Sequence, residues 1–361
     1  MQSIFDKRRQ AGRRHQGAAR IKEVARLASV STATVSRALA TPDQVSPETR
    51  ARVMDAVAKV GYVPNPAARS LRSQKTHMVL VVLPDLGNIF FSQVLRGIEE
   101  ELFAAGFGMI IGNLDGSPEK EARFAAFAMT GQVDGVLLLN GHLFRQLGEP
   151  SQSPSRLGVP MVALCEAIEE ADIPQIEVDN REAACRMTRY LAGLGHRDIG
   201  YICGPAGNVL EKERFRGYRD GLAETGSMFD PSFVWAGDYR LESGALVGQQ
   251  LLVSARRPTA VFCSNDEMAM GLIRALASGG LGVPEDISVA GFDDIEFAEM
   301  ASPALTTIRQ PRRELGRQGA AALLELLHGR QPAPRIRLET ELVERASTAR
   351  HVHVDRTRSG A

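Results

Sequence analysis

The sequence predicts a small three-helix bundle at the amino terminus, followed by a much larger α/β body with parallel sheets. Three observations carry this. Residues 21–63 repeat apolar side chains at helical spacing, with cap and stop residues between the repeats. From residue 78 onward, short apolar runs rich in Val, Ile and Leu alternate with amphipathic stretches, the pattern of strands joined by helices. Charge divides at the same junction: through Thr76 there are 15 Lys and Arg against 5 Asp and Glu, and the remaining 28 basic and 38 acidic residues reverse the sign. A basic head on an acidic body suits a polyanionic partner for the head.

With 361 residues, 44% of them apolar, the chain has material for more than one buried core. No apolar run approaches the roughly 18 to 20 residues of a membrane span, and the start "MQSIFDKRRQAGRRHQ" has no apolar stretch after its basic residues, so the expected location is cytoplasmic. Residues 1–19 read as a basic, disordered arm. Cys165, Cys185, Cys203 and Cys263 lie far apart without CxxC spacing, which argues against disulfides and a zinc site.

In "IKEVARLA", Ile21, Val24, Ala25 and Ala28 share one helical face and Lys22, Glu23 and Arg26 the other. After a break at "SVS", Ser31 is placed to cap a second helix. On that helix Val35, Ala38 and Leu39 fall on one side, and Thr32, Ala33, Ser36 and Arg37 on the opposite one. A third helix begins with Ser46 as cap and Pro47 in the first turn, carries Val53, Ala56, Val57 and Val60 as its stripe, and stops at Gly61. Two short helices joined by a tight turn and buttressed by a third form a helix-turn-helix arrangement, in which the second helix enters the major groove. Short hydroxylated side chains let such a helix approach the duplex, and Arg37 supplies one long donor able to contact guanine through two bonds. A plain bundle with exposed threonines fits the periodicity as well.

The stretch "YVPNPAARSLRSQKTH" ends the bundle at Pro64 and Pro66 and leaves "AARSLRS", too short for a stable isolated helix. Residues 64–76 read as a hinge that orders on a partner. Leu71 is then the apolar side chain free to wedge between base pairs from the minor groove, with Arg69 and Arg72 near phosphates and Asn65 a further DNA-binding candidate. The alternative is a linker leucine packed on its own body.

In the body, "MVLVVLPD", "GMIIGNLD", "GVLLLN", "PMVALC", "QIEVDN", "IGYICGP", "TAVFCSND" and "ISVAGFDD" read as strands. Several end in polar residues: Asp85, Asn113, Asn140, Asp179, Asn265 with Asp266, and Asp293 with Asp294. Ligands of open α/β sheets bind beyond the carboxyl ends of the strands, so these residues are expected to rim one cleft.

Residues 20–73 resemble the headpiece and hinge of the LacI/GalR family of bacterial repressors. The likeness extends to about residue 348 through "VDGVLLL", "LGHRDIGYICGP", "RFRGY", "PTAVFCSNDEMAMG", "GLGVPEDISVAGFDDI" and "SPALTTIRQPRRELG". Within the family, "STATVSRAL", "PDQVS", "FFSQVLRGIE" and "LTTIRQPRRELGR" are most similar to the cytidine-repressor branch, which implies a nucleoside-linked regulon. The resemblance implies doubly wound parallel-sheet subdomains like those of type I periplasmic binding proteins, crossed three times by the chain. They are placed at 77–179 plus 310–338 and at 180–309 plus 339–348, with a flexible tail at 349–361. It also implies that Thr32, Ala33 and Arg37 read bases, that Leu71 is the intercalating leucine, and that a homodimer binds a pseudo-palindromic operator.

For the effector, Arg214 of "RFRGY" and Asp293 of "GFDD" match positions that hold the ligand in relatives, and an arginine facing a carboxylate can fix ribose hydroxyls or a base edge. Phe90, Phe91 and Tyr239 are candidates to stack on a ring or sugar face, only one of the adjacent phenylalanines pointing inward. Asp85, Asp179, Asn180 and Asp266 are further candidates. Helix capping is the competing role for Asp266 and Asp293, and core packing for the phenylalanines. Ile89 stands where the family loop usually has proline. A nucleoside is the expected effector; a sugar or sugar acid, or a small-molecule-binding protein without DNA activity, are the alternatives. No GxSxG, HExxH or phosphate loop appears, His196 in "LGHRDIG" falls at a family position without catalytic role, and neither an enzyme activity nor a cofactor or metal is expected.

Overall fold

The computed structural model describes residues 21–63, 75–144, 158–168 and 171–351. The chain forms two compact units, Met1–Thr76 and His77–Ala361. The arm 1–19 and the hinge residues Asn65, Arg69, Leu71 and Arg72 lie outside the described residues.

In the first unit, α1 (Ile21–Leu27), α2 (Thr32–Ala40) and α3 (Pro47–Val60) enclose Val24, Ala25, Ala28, Val35, Ala38, Val53 and Ala56. The start and stop signals act as their chemistry requires. Ser31 Oγ accepts from the Thr34 amide at 3.1 Å, and Ser46 Oγ from the Thr49 amide at 3.3 Å, each satisfying a first-turn donor. Gly61 closes α3 in the left-handed region, φ 64°. The α1–α2 turn is tight, as expected: Ser29 adopts φ 54°, and Val30 donates back to the Ala25 carbonyl at 3.0 Å.

The second unit begins with β1 (Met78–Leu83), α4 (Phe90–Ala104), β2 (Gly108–Asn113), α5 (Pro118–Met129), β3 (Gly135–Leu138), β4 (Met161–Leu164) and β5 (Gln175–Val178). It continues with α6 (Asn180–Gly193), β6 (Ile199–Ile202), α7 (Val209–Glu224), β7 (Val234–Trp235), α8 (Leu241–Val253), β8 (Ala260–Cys263), α9 (Asp266–Ser278) and β9 (Ser288–Ala290). The carboxyl-terminal part holds α10 (Glu296–Met300), β10 (Thr307–Arg309), α11 (Arg312–Leu327), β11 (Arg335–Leu338) and β12 (Glu341–Val343).

One sheet has the order β11-β5-β4-β3-β1-β2 and a second β7-β6-β8-β9, all neighbours parallel. The chain passes from the first sheet to the second after β5, returns with α11 and β11, and crosses again into β12, which pairs antiparallel with β10. That antiparallel ribbon departs from the purely parallel expectation.

Each sheet is covered on both faces, as its continuous apolar strands demand. Ile98 and Leu102 of α4 and Leu315 and Leu323 of α11 cover one face of the first sheet, and Ala125 and Ala128 of α5 the other. Leu191 and Tyr218, on α6 and α7, cover one face of the second sheet, opposite Val247 and Leu272 on α8 and α9. Glycines set the closeness of α4 to α11: a Cβ on Gly97 would lie 2.0 Å from the Arg313 carbonyl oxygen, and one on Gly316 2.1 Å from that of Val94.

Composition alone predicts a free tail from residue 349, but the chain stays docked through His351. His196 Nε2 donates to the Ala349 carbonyl at 3.1 Å, the His351 amide donates to Leu194 O at 2.8 Å, and the two imidazoles stack at 5.5 Å. Among the described residues, no helix is long and apolar enough to cross a membrane.

Candidate functional site

On the headpiece, α2 buries Val35 and Ala38 and presents Thr32, Ala33 and Arg37 to solvent. Ser36 is half-buried, and Ser31 is engaged as the cap while also bonding Thr34 Oγ1 at 2.9 Å. The exposed ridge therefore consists of one methyl, one hydroxyl and one guanidinium, a surface slim enough to approach a groove floor.

In the body, the carboxyl ends of strands from both sheets converge on a cavity of about 680 Å³, within the size range of small-molecule sites. Asp85 follows β1, Glu166 follows β4, Tyr239 follows β7, Glu267 lies in the first turn after β8, and Asp293 follows β9. Four lining residues that are not glycine, Asp115, Cys165, Tyr239 and Asp293, hold positive φ of 50°, 65°, 69° and 116°. Such backbone costs about 1–3 kcal/mol per residue and persists where the surroundings fix it, most often at a binding site.

Arg214 forms the floor. It projects from α7 and is almost fully buried, Nε donating to Asn180 Oδ1 at 2.9 Å and Nη1 to the Ser264 carbonyl at 2.6 Å. Nη2 lies 3.5 Å from Asp293 Oδ1, and the guanidinium stacks 3.8 Å above the Phe292 ring. Asp293 also accepts from Gln310 Nε2 at 2.7 Å. Burial lifts its carboxyl to about 6 despite the opposing pull of Arg214. The arginine is thus held rigid, with its face and edge committed before any ligand arrives.

Phe90 and Phe91 both line the cavity, packed edge to face at 5.3 Å, where the sequence suggests only one would. The first turn of α4 opens onto the cavity and lets both rings contribute while both also join the core. Tyr239 stands beside Arg214, its ring centroid 5.9 Å from the guanidinium carbon, with its hydroxyl buried and lacking a hydrogen-bond partner among the described residues.

Asp179 and Asp266 do not reach this cavity. Asp179 caps α6 through the Glu182 amide at 2.9 Å and pairs with Arg337 at 2.9 Å. Asp266 is wholly buried beneath the site, accepting from the Ile295 amide at 2.8 Å and the Thr307 hydroxyl at 2.5 Å, while Asn265 serves as the cap of α9. Asn113 and Asn140 likewise turn into loop contacts, Asn113 accepting from the Leu86 amide at 3.1 Å and Asn140 bonding His142.

Three contacts, through four side chains absent from the sequence reading, bridge the two sides of the cleft. Asn208 Nδ2 donates to Glu166 Oε1 at 3.1 Å, Arg240 pairs with Asp85 at 3.1 Å, and the Ile89 amide donates to Glu267 Oε1 at 3.3 Å. The last bond explains how the loop works without the usual proline, whose nitrogen has no hydrogen to give. Among the described lining residues there are seven carboxyl groups and two guanidiniums, Arg214 and Arg240. Such a lining, predominantly acidic, disfavours anions.

Residues 20–65 match the family model described as bacterial regulatory proteins, lacI family, and residues 188–348 match the periplasmic binding protein-like domain. The chain is 40% identical over 337 residues to the HTH-type transcriptional repressor CytR of Escherichia coli strain K12, covering 93% of this chain and 98% of that one. It is 35% identical to the HTH-type transcriptional repressor PurR of Vibrio campbellii over 91% of this chain and 98% of that one. Among solved structures, the lac repressor dimer bound to operator and the anti-inducer ONPF superposes with a TM-score of 0.81 at 28% identity, covering 91% of this chain and 99% of that one. The transcriptional regulator CelR in complex with cellobiose gives 0.69 at 33% identity, with the same coverage. The chain belongs to the lacI family of bacterial regulatory proteins, a transcriptional repressor with a helix-turn-helix DNA-binding unit and a periplasmic-binding-protein-like body for a ligand.

Proposed function

We propose that the chain acts as a homodimer that binds a pseudo-palindromic operator and responds to a nucleoside in the cleft of the body. Thr32, Ala33 and Arg37 read base edges, Arg37 as the bidentate donor to guanine and Ala33 as a contact to a thymine methyl. The hinge at 64–76 orders on DNA, with Leu71 wedged into the minor groove, Arg69 and Arg72 along the phosphates and Asn65 as a further DNA contact. The domain boundaries of the sequence reading are kept, except that the body runs through His351.

The observation that carries the effector assignment is the rigid Arg214–Asp293 pair, with the Tyr239 ring beside it, sharing one cavity of about 680 Å³ with the aromatic wall of Phe90 and Phe91. A purine or pyrimidine ring stacks on the wall while a ribose hydroxyl meets the charged pair. The acidic lining weighs against sugar acids and phosphorylated ligands. A neutral sugar is the second reading, favoured by the 33% identity to the cellobiose-bound CelR.

Two experiments test this. Promoter fragments recovered with the tagged protein from its own genome should share a two-fold-symmetric site; recovery without any shared site contradicts the repressor reading. Calorimetry against cytidine, adenosine and free sugars then assigns the effector class, and heat from sugars alone would replace the nucleoside.

A further inference from the structure

Glu166 differs from the other carboxyls of the cleft. It follows Cys165, whose backbone is held at φ 65°, and its side chain packs under the loop at Gly141, where a Cβ would come 2.5 Å from Oε2. Only glycine suits residue 141, which combines that contact with φ 70°. Glu166 is 6% exposed, and Oε1 accepts from the neutral amide of Asn208 at 3.1 Å. Among the described residues, no cation lies within ion-pair distance of it, whereas Asp85 has Arg240 and Asp293 has Arg214.

A buried carboxyl without a paired cation favours its neutral form. The groups around it pull in both directions. Arg214 and the amino-terminal end of α7 at Asn208 favour the anion; Asp293, Cys165 and Tyr239 complete the surroundings, and His142 on the neighbouring loop is engaged by Asn140 and Glu121. Burial outweighs the Asn208 bond and the attraction of Arg214, and lifts the Glu166 carboxyl to about 7.

We propose that Glu166 is a specificity-determining residue of the cleft that binds the effector as a neutral acid, Oε2–H donating to an acceptor on a nucleobase edge while Oε1 accepts from the adjacent N–H of that edge. This rests on the nucleoside reading above and adds the residue that would tell a base from a sugar. A carboxylic acid offers one donor beside one acceptor, the complement of a pairing edge in which a ring acceptor stands next to an N–H. A carboxylate offers acceptors only and is better matched to the two donors of a vicinal diol. The sign of the pH dependence therefore reports which edge is bound.

The test is calorimetry of the full chain with cytidine, adenosine, ribose and glucose between pH 6 and pH 9. Nucleoside affinity should be level near pH 6 and weaken above pH 7, approaching about tenfold per pH unit, because binding requires one proton. Glu166→Gln, whose amide keeps a donor beside an acceptor, should bind within about threefold of the native chain at pH 6 and lose the pH dependence. Glu166→Ala should lose at least about tenfold, the cost of a buried polar edge left unpaired. Nucleoside binding that is flat or strengthens with pH in the native chain, or Glu166→Gln as impaired as Glu166→Ala, overturns this inference alone. Heat from sugars and none from nucleosides at any pH overturns the nucleoside reading and this inference together.

Discussion

Arg214 and Asp293 face each other across 3.5 Å between Nη2 and Oδ1, both buried, and the arginine is anchored by three elements at once through Asn180, Ser264 and the Phe292 ring. An ion pair so enclosed contributes little net stability, because desolvation offsets attraction; its removal on one side is what costs. Arg214→Ala should therefore lose about 3–5 kcal/mol in urea unfolding and abolish effector heat. Arg214→Lys keeps the charge but cannot hold the three anchors together, and should fall between. A loss under about 0.5 kcal/mol in the alanine variant would show that the pair is not part of the fold's support.

Arg37 is exposed on α2 with no apolar role in the headpiece core. Arg37→Ala should leave the melting temperature unchanged and cost about 1–3 kcal/mol of discrimination at one base pair in each half-site, read by titrating single-base operator variants. Unchanged discrimination would move the reading role to Thr32 or to the hinge.

Ser31 separates folding from recognition on the same helix. Its oxygen holds the Thr34 amide at 3.1 Å, so Ser31→Ala should lower headpiece stability by about 1 kcal/mol, followed by amide exchange in the first turn of α2. Faster exchange confined to other helices would contradict the capping role.

His196 makes acid stability measurable. It is 3% exposed, bonded through Nδ1 to the Thr259 hydroxyl at 2.9 Å and through Nε2 to Ala349, and burial drives its imidazole down to about 4. Because the folded value lies below the ordinary 6.5, its contribution is complete above about pH 6.5 and is lost as pH falls toward 4. The raised carboxyls act oppositely: Asp293 at about 6 and Glu166 at about 7 favour the fold at low pH and cease to do so as pH rises through those values. Comparing His196→Gln with the native chain isolates the first effect. The variant should lose less melting temperature between pH 6.5 and pH 4.5, and equal slopes would contradict it.

Much of the fold is legible in the sequence because its signals are local. Ser31, Ser46 with Pro47, and Gly61 mark helix ends through bonds made within one turn, and runs such as "MVLVVL" are buried on both faces and so read as strands. The edge strand Arg335–Leu338 lacks a continuous apolar run, and its alternation of charged and apolar residues spans only four positions; the two- and three-residue strands Val234–Trp235 and Glu341–Val343 are shorter still. In the site, Arg214 and Asp293 are visible through short motifs and the family likeness. Glu166 and Asn208 are not, because "CEAIEE" and "GPAGNV" look like ordinary loops until the crossing chain sets them 3.1 Å apart. Asp266 shows the reverse failure: an aspartate after a strand suggests a cap or a ligand, and only the packing of Ile295 and Thr307 around it reveals a buried fastening.

One ligand in the cleft and one operator on the headpieces are expected to bias a shared equilibrium. The most direct measurement is the dissociation constant of the full chain for a recovered operator duplex, by fluorescence anisotropy at fixed salt, with and without a saturating nucleoside already shown to bind. A coupling of about 1–3 kcal/mol predicts a shift of about 5- to 150-fold, matched by an equal shift in nucleoside affinity when operator is saturating. Identical operator affinity in the two conditions, with nucleoside demonstrably bound, would contradict the account.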